Sequence, residues 1–153
     1  MLGLALACGG DPLAQDAADY NEAMSPVLAQ NMELAQEFLE VAAQIKRKQV
    51  GAEELDVRWE AKVLPMADGL FEDARAVHPE TPELAALHER LVDSWGDRAE
   101  AYHQMHRSYK RSDSEGFQSA FDKNIEAKIA EEEYFRGVNV LLEPYGYHLD
   151  QFP

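Results

Sequence analysis

Apolar residues recur three and four positions apart along most of this chain, and that spacing constrains its fold more than any other feature. One-sided apolar stripes cover residues 24–45, 55–77 and 84–109, and a less regular stripe follows in 117–142. A period near 3.6 residues with one apolar face is typical of amphipathic helices. Because no alternating strand pattern, internal repeat or low-complexity tract competes with it, the sequence predicts an all-α fold.

Turn signals divide this pattern into separate helices. Ser25 and Pro26 supply an N-cap and a first-turn proline, Gly51 interrupts the chain, and Pro79 and Pro82 precede the third stripe. The predicted helices are residues 26–50, 52–78, 82–111 and 113–143, with a short helical piece at 16–24.

Long helices with short connections favour one architecture. Four helices of about 25–30 residues predict an antiparallel up-down-up-down four-helix bundle over residues 13–143, followed by an aromatic C-terminal tail at 144–153. Pro65 lies inside the second predicted helix, where we expect a kink because proline cannot donate the helical hydrogen bond. The fourth helix carries two sets of apolar residues, which are Phe117, Phe121, Ile125 and Ile129, and then Phe135, Val138 and Leu142.

Charge and cysteine content exclude several classes of function. The 153 residues include 29 Asp and Glu against 14 Lys and Arg, a formal charge of -15 at pH 7. A field of that sign repels phosphate backbones and anionic membrane surfaces, so we predict no nucleic-acid partner. The single cysteine can form neither an internal disulfide nor a thiolate-rich metal site. No apolar run approaches the roughly 20 residues of a membrane-spanning helix.

The N-terminal residues carry the one family resemblance. Leu4-Ala5-Leu6-Ala7 leads into Cys8, and Gly9-Gly10-Asp11-Pro12 follows. This pattern resembles the end of a bacterial lipoprotein signal peptide, in which a leucine-rich core and small residues precede an obligatory cysteine. The resemblance implies that residues 1–12 are a signal-peptide remnant and tether and that Cys8 carries the lipid that attaches the protein to a membrane. It also implies a place on the periplasmic face of the outer membrane; without an upstream signal sequence, the protein would be cytoplasmic.

Two histidines carry a metal hypothesis. His103 and His106 are three positions apart on the third predicted helix, a spacing at which two imidazoles can share a transition metal. The competing interpretation is that both are simply exposed. Glu100 and His103 also match half of a ferritin-like di-iron motif, but such a site needs a second copy. We therefore predict no cofactor, with a transition metal at His103 and His106 as the alternative.

Polar residues interrupt the apolar stripes and predict a buried polar layer. Its candidate members are Asn31, Arg98, Lys128 and Glu132. Buried charge must be paired, so such a layer would fix the register of the helices or line a ligand cavity. Alternatively, the long Arg and Lys side chains reach solvent from flanking positions.

Basic residues gather where the first and third predicted helices end. They are Lys46, Arg47, Lys48, Arg107, Lys110 and Arg111. Each complements a helix dipole locally, and together they form a candidate docking surface for an acidic protein partner.

No catalytic arrangement stands out in the sequence. We recognise no nucleophile with a base, no phosphate-binding loop and no paired-carboxylate motif. The sequence therefore favours a lipid-anchored, non-catalytic helical bundle of the cell envelope that serves as a structural, adaptor or accessory-binding module with a protein partner. The alternative is a periplasmic bundle that binds a metal or a small ligand.

Overall fold

The computed structural model describes residues 11–47 and 51–150, and these residues form an all-helical fold. The predicted all-α class is confirmed: four long helical segments account for nearly all of the described residues, and no strand occurs among them. The second segment changes from α-helix to π-helix and back. The bounds are α1 Pro12–Arg47, α2 Ala52–Arg58, a π-helical turn Trp59–Val63, α3 Leu64–Arg75, α4 Pro82–Lys110 and α5 Ser114–Leu142, with a 3-10 turn at Glu143–Tyr145.

α1 runs without interruption through Pro26, so the predicted break between residues 16–24 and 26–50 is absent. A proline inside a helix costs about 3 kcal/mol because it removes one hydrogen bond and crowds the preceding turn. Met24 and Val27 flank the proline on the same helix, and both are buried in the core. Packing on either side of Pro26 therefore outweighs the local preference for a break.

Two helix ends also differ from the prediction. α1 begins at Pro12, which thus belongs to the helix and not to a tether, and Asp11 accepts a hydrogen bond from the backbone N–H of Leu13 at 3.0 Å. Proline is well suited to the first turn because it lacks only an N–H that would have no helical partner. The second segment ends at Arg75, three residues before the predicted end.

The π-helical turn ends at Val63, two residues before Pro65, where the sequence predicts a kink. Pro65 cannot donate to the carbonyl four residues earlier, so the regular hydrogen-bond pattern must change in the preceding turn. The wider turn places both Trp59 and Val63 in the core. The irregularity is therefore accommodated by packing rather than by a break in the helix.

The core is built mainly from the stripes of the first three helical segments. Large side chains from each segment are almost completely buried and form one cluster. Its principal members are Tyr20, Met24, Leu34, Val41, Trp59, Val63, Leu70, Leu84, Leu91, Trp95 and Met105.

α5 presents a different face to the core from the one its apolar residues suggest. Ala120 and Ala127 let α5 approach α4 closely, and the hydroxyl of Ser94 donates to the carbonyl of Ala127 at 2.8 Å. The second apolar set of the helix, including Phe135 and Leu142, is buried. In the first set, Phe117 is partly buried against the core, whereas Phe121, Ile125 and Ile129 are 37, 44 and 53% exposed.

The described part of the predicted tail packs back on the helices. The side-chain amide of Asn139 donates to the carbonyl of Leu149 at 2.9 Å and accepts from its N–H at 2.8 Å. Tyr145 donates to Asp11 at 2.7 Å, which ties the chain after α5 to the start of α1. Leu149 is consequently buried in the core cluster.

Candidate functional site

Four buried side chains from three helices form a hydrogen-bonded group, which we call the central polar layer. They are Asn31 of α1, Trp95 and Arg98 of α4, and Glu131 of α5. Asn31 Nδ2 and Trp95 Nε1 donate to Glu131 Oε1 at 2.9 and 3.1 Å. Arg98 donates to Glu131 Oε2 at 3.3 Å and to Asn31 Oδ1 at 2.6 Å. The polar groups of the layer are thus directed at one another.

Charge in the central polar layer is compensated inside it. The Arg98 and Glu131 side chains pair at 8% and 2% exposure, and the guanidinium lies 5.4 Å from the ring centroid of Trp95. Burial raises the pKa of nearby Tyr102 to about 12; Arg98 opposes the rise and Glu131 adds to it. Desolvation offsets most of the attraction within a buried ion pair, so the larger energy is the penalty for leaving either partner alone.

The structure corrects the predicted membership of this layer. Asn31 and Arg98 are buried in it, whereas the side chains of Lys128 and Glu132 are exposed on α5. One residue turns a helix by about 100 degrees, so the buried acid is Glu131 and not the neighbouring Glu132. The predicted orientation of α5 about its axis is wrong because the helix carries an exposed apolar set, which the sequence pattern cannot distinguish from a core face.

A second buried group links α1, α4 and α5 by a chain of hydrogen bonds. Tyr20 Oη lies 2.8 Å from His88 Nδ1 and 2.6 Å from Tyr134 Oη, and His88 Nε2 lies 2.9 Å from the carbonyl oxygen of Ala74. A carbonyl can only accept, so Nε2 carries the imidazole proton, Nδ1 accepts from Tyr20, and Tyr134 donates to Tyr20. Burial raises the pKa values of both tyrosines and lowers that of His88. All three side chains are therefore neutral in the folded protein at pH 7.

His88 makes stability depend on pH. Its pKa is lowered chiefly by burial, although the bond to Ala74 opposes the shift, while a histidine in the unfolded chain titrates near 6.5. Between those two pKa values the unfolded state binds a proton that the folded state does not. The His88 contribution to stability is thus complete above about pH 6.5 and falls as the pH drops toward the folded pKa. We expect NMR titration of the His88 ring to give a pKa below about 6.5. A value at or above about 6.5 would contradict the assignment of His88 as a buried, neutral imidazole.

Asp16 of α1 holds the start of α4. Its carboxylate accepts from the backbone N–H groups of Glu80 and Thr81 at 3.0 and 2.7 Å and from the Thr81 hydroxyl. Burial alone would raise the pKa of Asp16, but these hydrogen bonds outweigh it and lower the pKa. A carboxylate at a helix N-terminus also complements the helix dipole.

The two histidines of the metal hypothesis have different partners. His103 Nε2 lies 2.9 Å from Asp68, while His106 Nε2 lies 2.6 Å from Asp56. Each imidazole thus contacts a separate carboxylate, and a metal shared by His103 and His106 stays a prediction. Both acids lie on the second helical segment, so their spacing to the histidines could not be read from the sequence of α4.

His106 instead belongs to a mixed group of charged side chains, which we call the His106 cluster. Asp56, Glu60 and His106 offer ligand atoms that all lie within 4.8 Å of one another. Lys110 Nζ approaches Asp56 Oδ2 at 3.2 Å and Glu60 Oε1 at 3.0 Å. These bonds raise the pKa of Lys110, and the bonds from His106 and then Lys110 lower the pKa of Asp56. Trp59 stacks on the His106 ring at 6.0 Å between centroids.

The predicted basic docking surface is partly neutralised among the described residues. Arg107 pairs with Glu100 at 2.8 Å, and Lys110 is engaged in the His106 cluster. Arg47 and Arg111 are exposed near the ends of α1 and α4. Lys48, the side chain of Lys46, and the predicted lipid attachment at Cys8 lie outside the described residues. Docking of an acidic partner stays a prediction.

Comparison with protein-family models, curated proteins and solved structures finds no match to this chain. Within residues 11–47 and 51–150, no helix combines the length and the apolar character that crossing a bilayer requires.

Proposed function

We propose that this chain is a non-catalytic accessory-binding module of the bacterial cell envelope, built as an antiparallel up-down-up-down four-helix bundle and attached to a membrane by a lipid on Cys8. Anchoring rests on the resemblance of the sequence around Cys8 to a lipoprotein signal peptide. Binding rests on one observation, the exposed apolar set Phe121, Ile125 and Ile129, which we call the α5 ridge.

Contacts between successive helical segments support the antiparallel order. In each pair of segments, residues later in one segment meet residues earlier in the next. The pairs are Gln30 with Asp73 and Glu37 with Arg58, then Ala74 with His88 and Asp56 with His106, and finally Leu87 with Gly137 and Gln104 with Lys123. Short connections between long helices favour the same arrangement.

The buried polar groups support a non-catalytic role. A catalytic acid or base must reach the group that it protonates or deprotonates. Glu131 and Arg98 bond to each other inside the core, and His88 has a partner on each ring nitrogen. These groups hold helices together and are turned away from solvent.

The α5 ridge supports binding of a protein helix. Its three side chains are four residues apart and share one face of the helix. A ridge of this kind packs into the groove of another helix or an amphipathic segment. Exposed Asp122 and Lys128 flank it with charges of both signs, and the charge of -15 opposes an anionic lipid surface. We therefore assign the ridge to an amphipathic helix of another envelope protein.

Charge placed on the α5 ridge will abolish this binding. In Ile125→Glu the partner helix would have to bury a carboxylate without a counter-charge, so we expect recovery of the partner from host membranes to fall about tenfold or more. Leu39→Glu is the matched control, because Leu39 is 66% exposed but lies on α1. Quantitative co-purification of the tagged protein from membrane fractions measures both.

The binding surface and the lipid anchor are contradicted by different outcomes. Equal recovery with Ile125→Glu and the wild type would refute the α5 ridge as the binding surface. Loss of self-association alone would show that the ridge binds a second copy of this chain.

The lipid anchor is tested in the same cells, where Cys8→Ser should move the protein from the membrane to the soluble fraction. Unchanged fractionation of Cys8→Ser would refute the lipid anchor.

A further inference from the structure

The His106 cluster brings three side chains that can bind a metal close together, apart from the central polar layer. Asp56 and Glu60 are four residues apart, which places both carboxylates on one face of the second helical segment. His106 approaches them from α4, and its side chain is only 6% exposed. An imidazole and two carboxylates from two packed helices are a ligand set for a divalent transition metal.

We propose that Asp56, Glu60 and His106 bind one divalent transition metal ion of the zinc class. Zinc bonds to nitrogen and oxygen ligands are about 2.0–2.2 Å long, so the ligand atoms of one ion lie about 3–3.5 Å apart. His106 Nε2 lies 2.6 Å from Asp56 Oδ1 and 4.0 Å from Glu60 Oε1. These two separations bracket the required distance, so rotation of the carboxylates suffices to place them around an ion.

Lys110 supplies the positive charge that the two carboxylates need, and it competes with the metal. Its Nζ lies against both acids at 3.2 and 3.0 Å, while its side chain is 46% exposed. A divalent ion brings more positive charge to the same carboxylates, and the flexible lysine stem can turn its ammonium into water. Binding of the ion to His106 Nε2 replaces the hydrogen bond between Nε2 and Asp56, and the metal-bound imidazole carries its proton on Nδ1.

The surroundings of His106 hold its imidazole in one orientation, which favours metal binding. Trp59 stacks on the imidazole with an angle of 20 degrees between the rings, which restricts rotation of the ring. Glu60 lies inside the π-helical turn Trp59–Val63, and π-turns inside helices occur frequently at functional sites. His103 and Asp68 form the contrasting pair on the same two segments, because a second carboxylate does not join them in the described structure.

The experiment titrates protein purified without an affinity tag with Zn²⁺ alone by calorimetry and with Co²⁺ alone by visible absorption. We expect one equivalent of metal to bind the wild type and His103→Gln alike. His106→Gln and the exposed Glu60→Gln should each weaken binding about tenfold or more through loss of a ligand. Lys110→Gln should strengthen binding several-fold because the competing ammonium is gone.

The outcomes separate the site from general surface binding. Loss of affinity in His106→Gln or Glu60→Gln with the control unchanged supports the site, and a gain in Lys110→Gln supports the competition. Failure of the wild type to bind a single equivalent, or equal binding by the wild type and Glu60→Gln, overturns the proposal even if His106→Gln does not fold.

Discussion

Replacing Glu131 with leucine will lower the free energy of unfolding by about 3–5 kcal/mol, because it leaves the Arg98 guanidinium buried without a counter-charge. Asn31 and Trp95 also lose their shared acceptor, Glu131 Oε1. Leucine fills most of the volume, so the loss measures charge and hydrogen bonding more than a cavity. Urea unfolding followed by far-UV circular dichroism gives the free energy.

Glu132→Leu is the control for this prediction. The two glutamates are adjacent on α5, but only Glu131 is buried, so the change at Glu132 should alter the free energy of unfolding by less than about 0.5 kcal/mol. Arg98→Leu with Glu131→Leu removes both charges together and should cost less than the sum of the single changes. Similar losses for the two glutamate variants, or strict additivity, would contradict the central polar layer as described.

The helices of this protein could be predicted because each of the first three carries a single apolar stripe. Met24, Leu34 and Val41 recur with helical spacing, and all are buried. Local signals were less reliable: the break predicted at Pro26 is overridden by core packing on both sides of it. Helix boundaries predicted from local turn residues are therefore less reliable, because contacts with other helices can keep a helix continuous.

α5 shows why the central polar layer could be predicted only in part. Its sequence contains two competing faces, one with Phe121 and Ile129 and one with Ala127 and Glu131. Hydropathy favours the first as a core face, but the small side chain of Ala127 allows the close approach to α4 that the structure has. Choosing the phase requires the shape of the neighbouring helix, which the sequence pattern of α5 does not contain.

The pairings of the histidines depend on contacts between distant parts of the chain. Tyr20 and His88 are 68 residues apart, and His106 and Asp56 are 50 apart. The spacing of His103 and His106 along α4 predicts that they lie close enough to share a metal. In the structure, the second helical segment offers a separate carboxylate to each of them. The candidate metal ligands Asp56 and Glu60 follow only from that packing.

Replacing Tyr20 with phenylalanine will cost about 2–4 kcal/mol of folding free energy, because its hydroxyl is the middle of a chain of three buried groups. Tyr20 donates to His88 Nδ1 and accepts from Tyr134, so removing one oxygen leaves a buried acceptor and a buried donor without partners. The ring remains, and the core volume hardly changes. Chemical denaturation at neutral pH measures the loss.

Tyr134→Phe is the matched comparison, because it removes a hydroxyl from the end of the same chain. Tyr20 then still donates to His88 and loses only one donor, so we expect a cost near 1 kcal/mol. The difference between the two variants follows from the position of Tyr20, whose hydroxyl contacts both His88 and Tyr134. An equal cost for Tyr20→Phe and Tyr134→Phe, or a larger cost for Tyr134→Phe, would contradict the place of the Tyr20 hydroxyl in the middle of this chain of hydrogen bonds.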